Sequence, residues 1–216
     1  MFASEFVLEG VTAILFHADD IDASDELTEW RKDPKNENFS VKGDDRSPPW
    51  TWQTYLYTDS THIVMPSDNI MVSLRQAGAK VPLKGNTSFK QTTQSGIIIR
   101  EEFCEFRNGS GKQIAMKDIA ALRSLDFKEQ AALVRDFGCT LYKKRAKIGQ
   151  AKHVRVRARF NQWSVHGRLE VVAEEITFDR LKQIFDIAGD GGLGDWRTAC
   201  KTPGIFGRYR VKLKKL

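Results

Sequence analysis

The chain has 216 residues, 41% apolar and 29% charged, with a formal net charge of +6. That length and balance suit one globular domain, taken as 1–216, and exclude a disordered chain. No stretch approaches the roughly 18 apolar residues of a membrane helix, so no membrane partner is expected. Three cysteines, Cys104, Cys139 and Cys200, have no CxxC spacing, which argues against a disulfide framework or a structural zinc site. With a start that is neither basic nor apolar, a reduced, cytoplasmic setting follows, and no cofactor is implied.

Residues 5–16 read as one long strand with Gly10 as a bulge. Residues 17–49 are acidic and polar and read as a long excursion. The aromatic stretch Trp50–Tyr57 is β-prone and pairs with 62–65 through a turn at Asp59-Ser60. Ile70, Leu74 and Ala77 mark the buried face of a helix over 68–77 that Gly78 ends. Residues 79–96 are loop-like, 97–106 form a strand, and Asn108-Gly109-Ser110-Gly111 is a turn. A short helix spans 117–122. Asp126 and Glu129 make a capping box for a helix over 127–137, stopped by Gly138. Residues 139–152 are basic and irregular, or partly strand.

In the last third, Val154, Val156, Ala158 and Phe160 alternate with Arg155, Arg157, Arg159 and Asn161, the period of a half-buried strand. An Asn161-Gln162 turn leads into a returning strand over 163–171. Thr177 caps a helix over 177–188 with an apolar stripe at Phe178, Leu181, Ile184, Phe185 and Ala188. A glycine-rich loop, Gly189–Gly194, precedes a final strand at about 205–213. The order is strand, helix, strand, strand, helix, strand. The expected fold is therefore α+β, a ferredoxin-like, RRM-like βαββαβ core with an antiparallel sheet, and 17–65 and 79–150 are two insertions.

Charge is unevenly spread. Residues 1–60 hold 13 acids and 5 bases, whereas 61–216 hold 15 acids and 29 bases. No acid occurs from Phe137 to Leu169 or from Trp196 to Leu216. Two acid-free basic blocks make a polyanion the leading partner class. If the Asn161-Gln162 turn sets the register, Arg155, Arg157, Arg159, His166 and Arg168 share one face of a hairpin. Like charges set opposite one another repel. They require either carboxylates from elsewhere, which the acidic first 60 residues could supply, or an external anion. Arginine suits phosphate because its planar fork binds oxygens bidentately. Gly191, Gly192 and Gly194 permit close backbone approach to a ligand. Trp196, Arg197, Lys201, Arg208 and Arg210 lie in or just after that loop.

These features resemble a known family. The run His153–Phe160, the partner Trp163-Ser164-Val165, the helix over 177–188, the glycine-rich loop and the closing Gly204–Val211 are similar to the RAMP proteins. Those are the RRM-like RNA-binding proteins of CRISPR systems, including backbone subunits of effector complexes. Gly-Leu-Gly-Asp-Trp-Arg (192–197) followed by Pro-Gly-Ile-Phe-Gly-Arg-Tyr (203–209) also resembles stand-alone RAMP-like proteins of phages and prophages. The resemblance implies an RRM-like core with the loop near an RNA path; it does not imply catalysis, the expected role is non-catalytic binding, and the cytoplasm is that of a bacterial host if the chain is phage-encoded. The aromatic signature of RRM sheets is absent, and arginine stands in its place, which favours backbone contact without sequence preference.

Rival chemistries remain. His17, Asp19, Asp20 and Asp22 have metal-ligand side chains, though consecutive acids in a loop point apart. A metal-independent ribonuclease would need an acid and a base, with His153, His166 and Tyr209 as candidates. Trp50, Trp52, Tyr55 and Tyr57 would stack on single-stranded bases or pack in the core. A protein-contact role is the third class, either self-association or docking on a CRISPR-type effector subunit.

Overall fold

Alternation builds the first strand. In Phe2–Gly10 (β1), Ser4, Phe6 and Leu8 are buried while the intervening side chains face outward. The strand expected over 5–16 is split in two. After Gly10 the amides of Val11 and Thr12 both donate to the Arg208 carbonyl, at 2.7 and 3.2 Å, and turn the chain toward Ile14–Leu15 (β2) in a second sheet. Gly10 is required there because the Trp163 indole occupies the place of a Cβ.

The computed structural model describes residues 1–148 and 150–216. It is a mixed α+β arrangement with antiparallel sheets, and no helix among the described residues is long and apolar enough to cross a membrane. The acidic excursion contains a helix, Ile21–Lys32 (α1). Asp20 accepts from the Ala23 amide at 3.1 Å, Asp22 lies in the first turn, and Arg31 and Lys32 lie in the last, so caps and dipole complementarity hold a helix with no buried residue. The aromatic stretch expected as a strand forms a 3-10 turn over Thr51–Tyr55. Trp52 is buried and donates to Gln130 Oε1 at 2.7 Å.

Next come Val64–Pro66 (β3) and Ser67–Gly78 (α2), which buries Ile70, Leu74 and Ala77. The segment expected as loop holds a small hairpin, Pro82–Lys84 (β4) and Thr87–Ser88 (β5), and a short helix, Lys90–Gly96 (α3). Ile97–Ile98 (β6) and Phe103–Asn108 (β7) replace the single strand expected over 97–106. Met116–Ala120 (α4) precedes Phe127–Leu133 (α5), whose capping box between Asp126 and Glu129 is formed on both sides. Cys139–Ile148 (β8) and Ala151–Phe160 (β9) are two ten-residue strands, followed by Trp163–Val171 (β10). Phe178–Gly191 (α6) is capped by Thr177 and runs past Gly189, which is packed against the Tyr209 carbonyl. Tyr209–Lys215 (β11) ends the chain.

The main sheet runs β11-β1-β10-β7-β3, with β6 beside β10. α6 covers one face, with the Phe185 ring 5.8 Å from Phe6, and α2 packs against α6. The second sheet is β2-β9-β8. A contiguous core joins the sheets through the rings of Phe16, Phe106 and Phe160, 5.0–5.3 Å apart.

One expectation is overturned. β9 and β10 do not pair across Asn161-Gln162. Phe160 pairs with Cys139 and Ile14, whereas Trp163 pairs with Asn108. Phe160 and Trp163 are both buried, and β9 and β10 lie in different sheets. Arg155, Arg157 and Arg159 therefore share no face with His166 and Arg168.

Candidate nucleic-acid interface

The alternation of β9 sends Val156, Ala158 and Phe160 into the core and its three arginines to the opposite face. The register places Thr140, Tyr142 and Lys144 of β8 across from Arg159, Arg157 and Arg155. The glycine-rich segment lies over this face, so two features separated by some thirty residues in sequence meet in space.

The acidic N-terminal region supplies a carboxylate. Asp45, 4% exposed, accepts from Arg155 Nη1 at 3.0 Å, Arg157 Nη1 at 3.1 Å and the Val156 amide at 3.1 Å. Asp195 accepts from Arg157 Nε at 3.1 Å. Arg157 is 3% exposed, with Tyr55 stacked 4.1 Å from its guanidinium. Its donors are committed within the chain, which withdraws it from the phosphate contact expected of it. Arg159 lies about 6 Å from the Tyr142 and Phe206 rings, and its Nε has no partner among the described residues.

The glycines also act internally. Gly192 and Gly194 have φ of +79° and +76°. A Cβ on Gly194 would overlap the Leu15 carbonyl, and one on Gly192 would lie 2.8 Å from the Phe206 carbonyl. The amides of Gly192, Leu193 and Asp195 donate to Ala188, Gly207 and Leu15 carbonyls at 2.8–2.9 Å. The close approach that these glycines permit is thus between chain segments, and those three amides are not free for a ligand. Gly191 ends α6 in ordinary contact with Ala199.

What faces solvent is the rest of the cluster. Trp196, half-buried, holds a left-handed φ of +46°, rare for a bulky residue, with its amide on Asp195 Oδ1 at 2.8 Å. Lys144 Nζ sits 4.3 Å from its ring centroid. Lys143, Lys144, Arg145, Lys147 and Lys152 are exposed along β8 and β9, and Lys201 and Arg208 are exposed beside the loop. Among the described residues none of these seven has a carboxylate within 4.0 Å, whereas most basic residues of the main sheet do. Arg197 donates to the Gly194 carbonyl at 3.0 Å and edges a small recess with Tyr57 and Asn69. Arg208 Nε contacts Thr198 Oγ1 at 3.2 Å.

The remaining candidates lie elsewhere. His166 and Arg168 sit on the main sheet's outer face, Arg168 paired with Glu5 at 3.1 Å. Arg210 pairs with Asp190 at 2.8 Å. Tyr209 is fully buried, and burial pushes its hydroxyl far above the usual range, which removes it as a proton donor. His153 faces Gly43. Trp50 and Trp52 are buried, so they pack and do not stack on bases. The acidic run disperses: Asp20 caps α1 and His17 turns to Asp195, Nδ1 to Oδ2 3.5 Å.

His17 was outside the expected cluster. Burial, then the Arg157 charge, depress its pKa below the ordinary histidine value, against the pull of Asp195. Its ring meets Tyr55 edge-on at 5.1 Å. Asp45 and Asp195 were also missed as partners. The signal available was an Asp-Asp pair inside a polar excursion and an Asp inside the glycine-rich loop. The sequence matches no protein-family model, and no curated protein matches it.

Proposed function

We propose that the chain binds single-stranded nucleic acid, RNA before DNA, along its phosphate backbone and without cleaving it. The observation that carries this reading is the set of uncompensated cations on β8, β9 and the adjoining loop, Lys143, Lys144, Arg145, Lys147, Lys152, Lys201 and Arg208. Trp196 stands among them under Lys144, available to stack on a base. Lys144 and Arg155 lie on the face of Arg157 and Arg159, whereas Lys143, Arg145, Lys147 and Lys152 alternate to the other face of the hairpin, so the cations rim both of its faces. The outer face of the main sheet is a poorer candidate, because Glu5, Glu9, Glu105 and Glu170 pair with its cations.

The same reading gives the chain an RRM-like, ferredoxin-like core. In the strand order β11-β1-β10-β7, α2 lies in sequence between β1 and β7 and α6 between β10 and β11, which is the βαββαβ sequence. β7, not β9, then serves as the second core strand, and the β8–β9 hairpin is an appendage. This arrangement supports the RAMP resemblance, on which a phage or prophage origin and contact with CRISPR-type subunits rest.

The test is fluorescence anisotropy of a labelled uridine 20-mer across salt concentrations. About five phosphate contacts give a slope of log K on log salt near −3.5. Replacing Lys143, Lys144, Arg145 and Lys147 with Ala removes most of that slope and leaves the melting temperature within a few degrees. Wild-type affinity in this variant overturns the reading. A second reading, metal-independent ribonuclease, is favoured by one observation: His17, its pKa depressed by burial and the Arg157 charge, has Nδ1 3.5 Å from Asp195 Oδ2 beside the arginine strand. RNA cleavage lost in His17→Gln would establish it.

A further inference from the structure

The outer face of the main sheet holds a second set of groups that nucleic-acid binding does not use. Ser164 and His166 lie two residues apart on β10 and so share a face, with Ser164 Oγ 2.9 Å from His166 Nε2. The register sets Ser164 between Glu9 of β1 and Arg107 of β7, and His166 between Val7 and Glu105. Arg107 spends Nε and Nη2 on Glu105, at 2.8 and 3.1 Å, which leaves Nη1 without a partner among the described residues. A cleft of about 550 Å³ is lined by His166, Val7, Phe103, Arg107 and Arg168 with the carboxylates Glu5, Glu101 and Glu105, and Ser164 lies just outside it, reached through His166.

A hydroxyl within hydrogen-bond reach of an imidazole is the minimal geometry of an activated nucleophile. The neighbouring carboxylate and guanidinium add what a bare serine–histidine contact lacks. Glu105 lies opposite the ring, and Arg107 is a fixed cation opposite the hydroxyl, where an oxyanion would develop. We propose that Ser164 and His166 form a nucleophile–base pair for acyl transfer from a small, uncharged carboxylic ester. Arg107 and Arg168 are held by Glu105 and Glu5 at the rim of the cleft, and Val7 and Phe103 offer apolar surface for the ester.

The chemistry balances within these residues and water. Ser164 Oγ attacks the carbonyl carbon, and its proton passes to His166 Nε2. The C–O bond to the leaving alcohol breaks, and that alcohol takes the proton from His166. Water then attacks the acyl-serine by the same proton route, releases the carboxylic acid and restores Ser164.

The test uses the whole chain and an alkyl fluorophosphonate, whose phosphorus accepts the serine oxygen and releases fluoride. Intact mass and peptide mapping are expected to show one adduct, on Ser164. Ser164→Ala abolishes it, and His166→Gln slows it by about 100-fold without lowering the melting temperature. Absence of the adduct overturns the proposal. So does an adduct elsewhere, or one that forms equally fast in His166→Gln or in urea-unfolded protein. None of these outcomes bears on the basic hairpin, so the two readings stand or fall separately.

Discussion

Replacing Asp45 with Ala tests the account of the arginine strand most directly. The change removes a carboxylate that is 4% exposed and accepts three hydrogen bonds, two of them from arginines. Breaking a buried ion pair from one side costs about 3–5 kcal/mol, because the other charge is left buried. Here Asp195 still accepts from Arg157 Nε, and Arg155 is partly exposed, so the lower end applies, about 3 kcal/mol. For a chain of this size each kcal/mol moves the melting temperature by about 2–4 °C, giving a fall of about 6–12 °C. Circular dichroism melts read it. Arg157→Met in the same background removes the charge that Asp45 left behind. The double variant therefore melts above the value that the two single losses add up to, by about 3 °C for a coupling of 1 kcal/mol. A fall of less than about 2 °C in the single variant, or a double variant whose losses simply add, would refute the hub.

Gly194→Ala places a methyl against the Leu15 carbonyl at a left-handed φ, so the melting temperature drops by several degrees; a drop of under 1 °C would show that the loop and β2 are loosely joined. His17 and His166 both have depressed pKa values in the fold, so protons favour the unfolded chain. Stability is full above the ordinary histidine value of 6.5 and declines as pH falls below it. A His17→Gln variant flattens part of that decline in urea titrations at pH 7.5 and 5.5, and an unchanged difference counts against the assignment. Thr177→Ala removes the acceptor of the Arg180 amide at 3.2 Å and lowers stability by about 1 kcal/mol in urea unfolding. An unaltered midpoint would mean that water replaces the cap.

Local chemistry made several elements legible before any coordinates. The α6 cap at Thr177, the box between Asp126 and Glu129, and the alternation of β9 all depend on residues within a few positions of one another. Failure came where distant partners decide. Residues 139–152 read as irregular or only partly strand, because four of the ten residues of β8 are lysine or arginine, and they form a full strand because β9 offers a ladder. α1 was missed because its apolar stripe is thin, Ala23, Leu27 and Trp30 set among acids, and only half-buried; caps, charge order and the Glu26–Arg123 ion pair add to it. At the candidate site the arginines were found, and carboxylates from the first 60 residues were one of their two expected partners, but which carboxylate was not legible. Asp45 lies 110 residues from Arg155, and no spacing rule links them. The loop glycines were read as room for a ligand because glycine marks close approach without saying what approaches.

The position of β1 has a further consequence for the nascent chain. β1 pairs with β10 on one side and β11 on the other, so both of its ladders wait for the C-terminal quarter. At 5–20 residues per second, roughly ten to forty seconds pass between translation of β1 and translation of β11. Throughout that interval Phe6 and Leu8 have no sheet to join, and α2 has no α6 to pack against. The main sheet is therefore assembled late and from both ends of the chain at once, a high-contact-order route that folds slowly and exposes an unpaired hydrophobic strand. A stop codon at position 209 would leave β1 with a bare edge, and the product would be a substrate for chaperones and proteases rather than a slightly shorter binding protein.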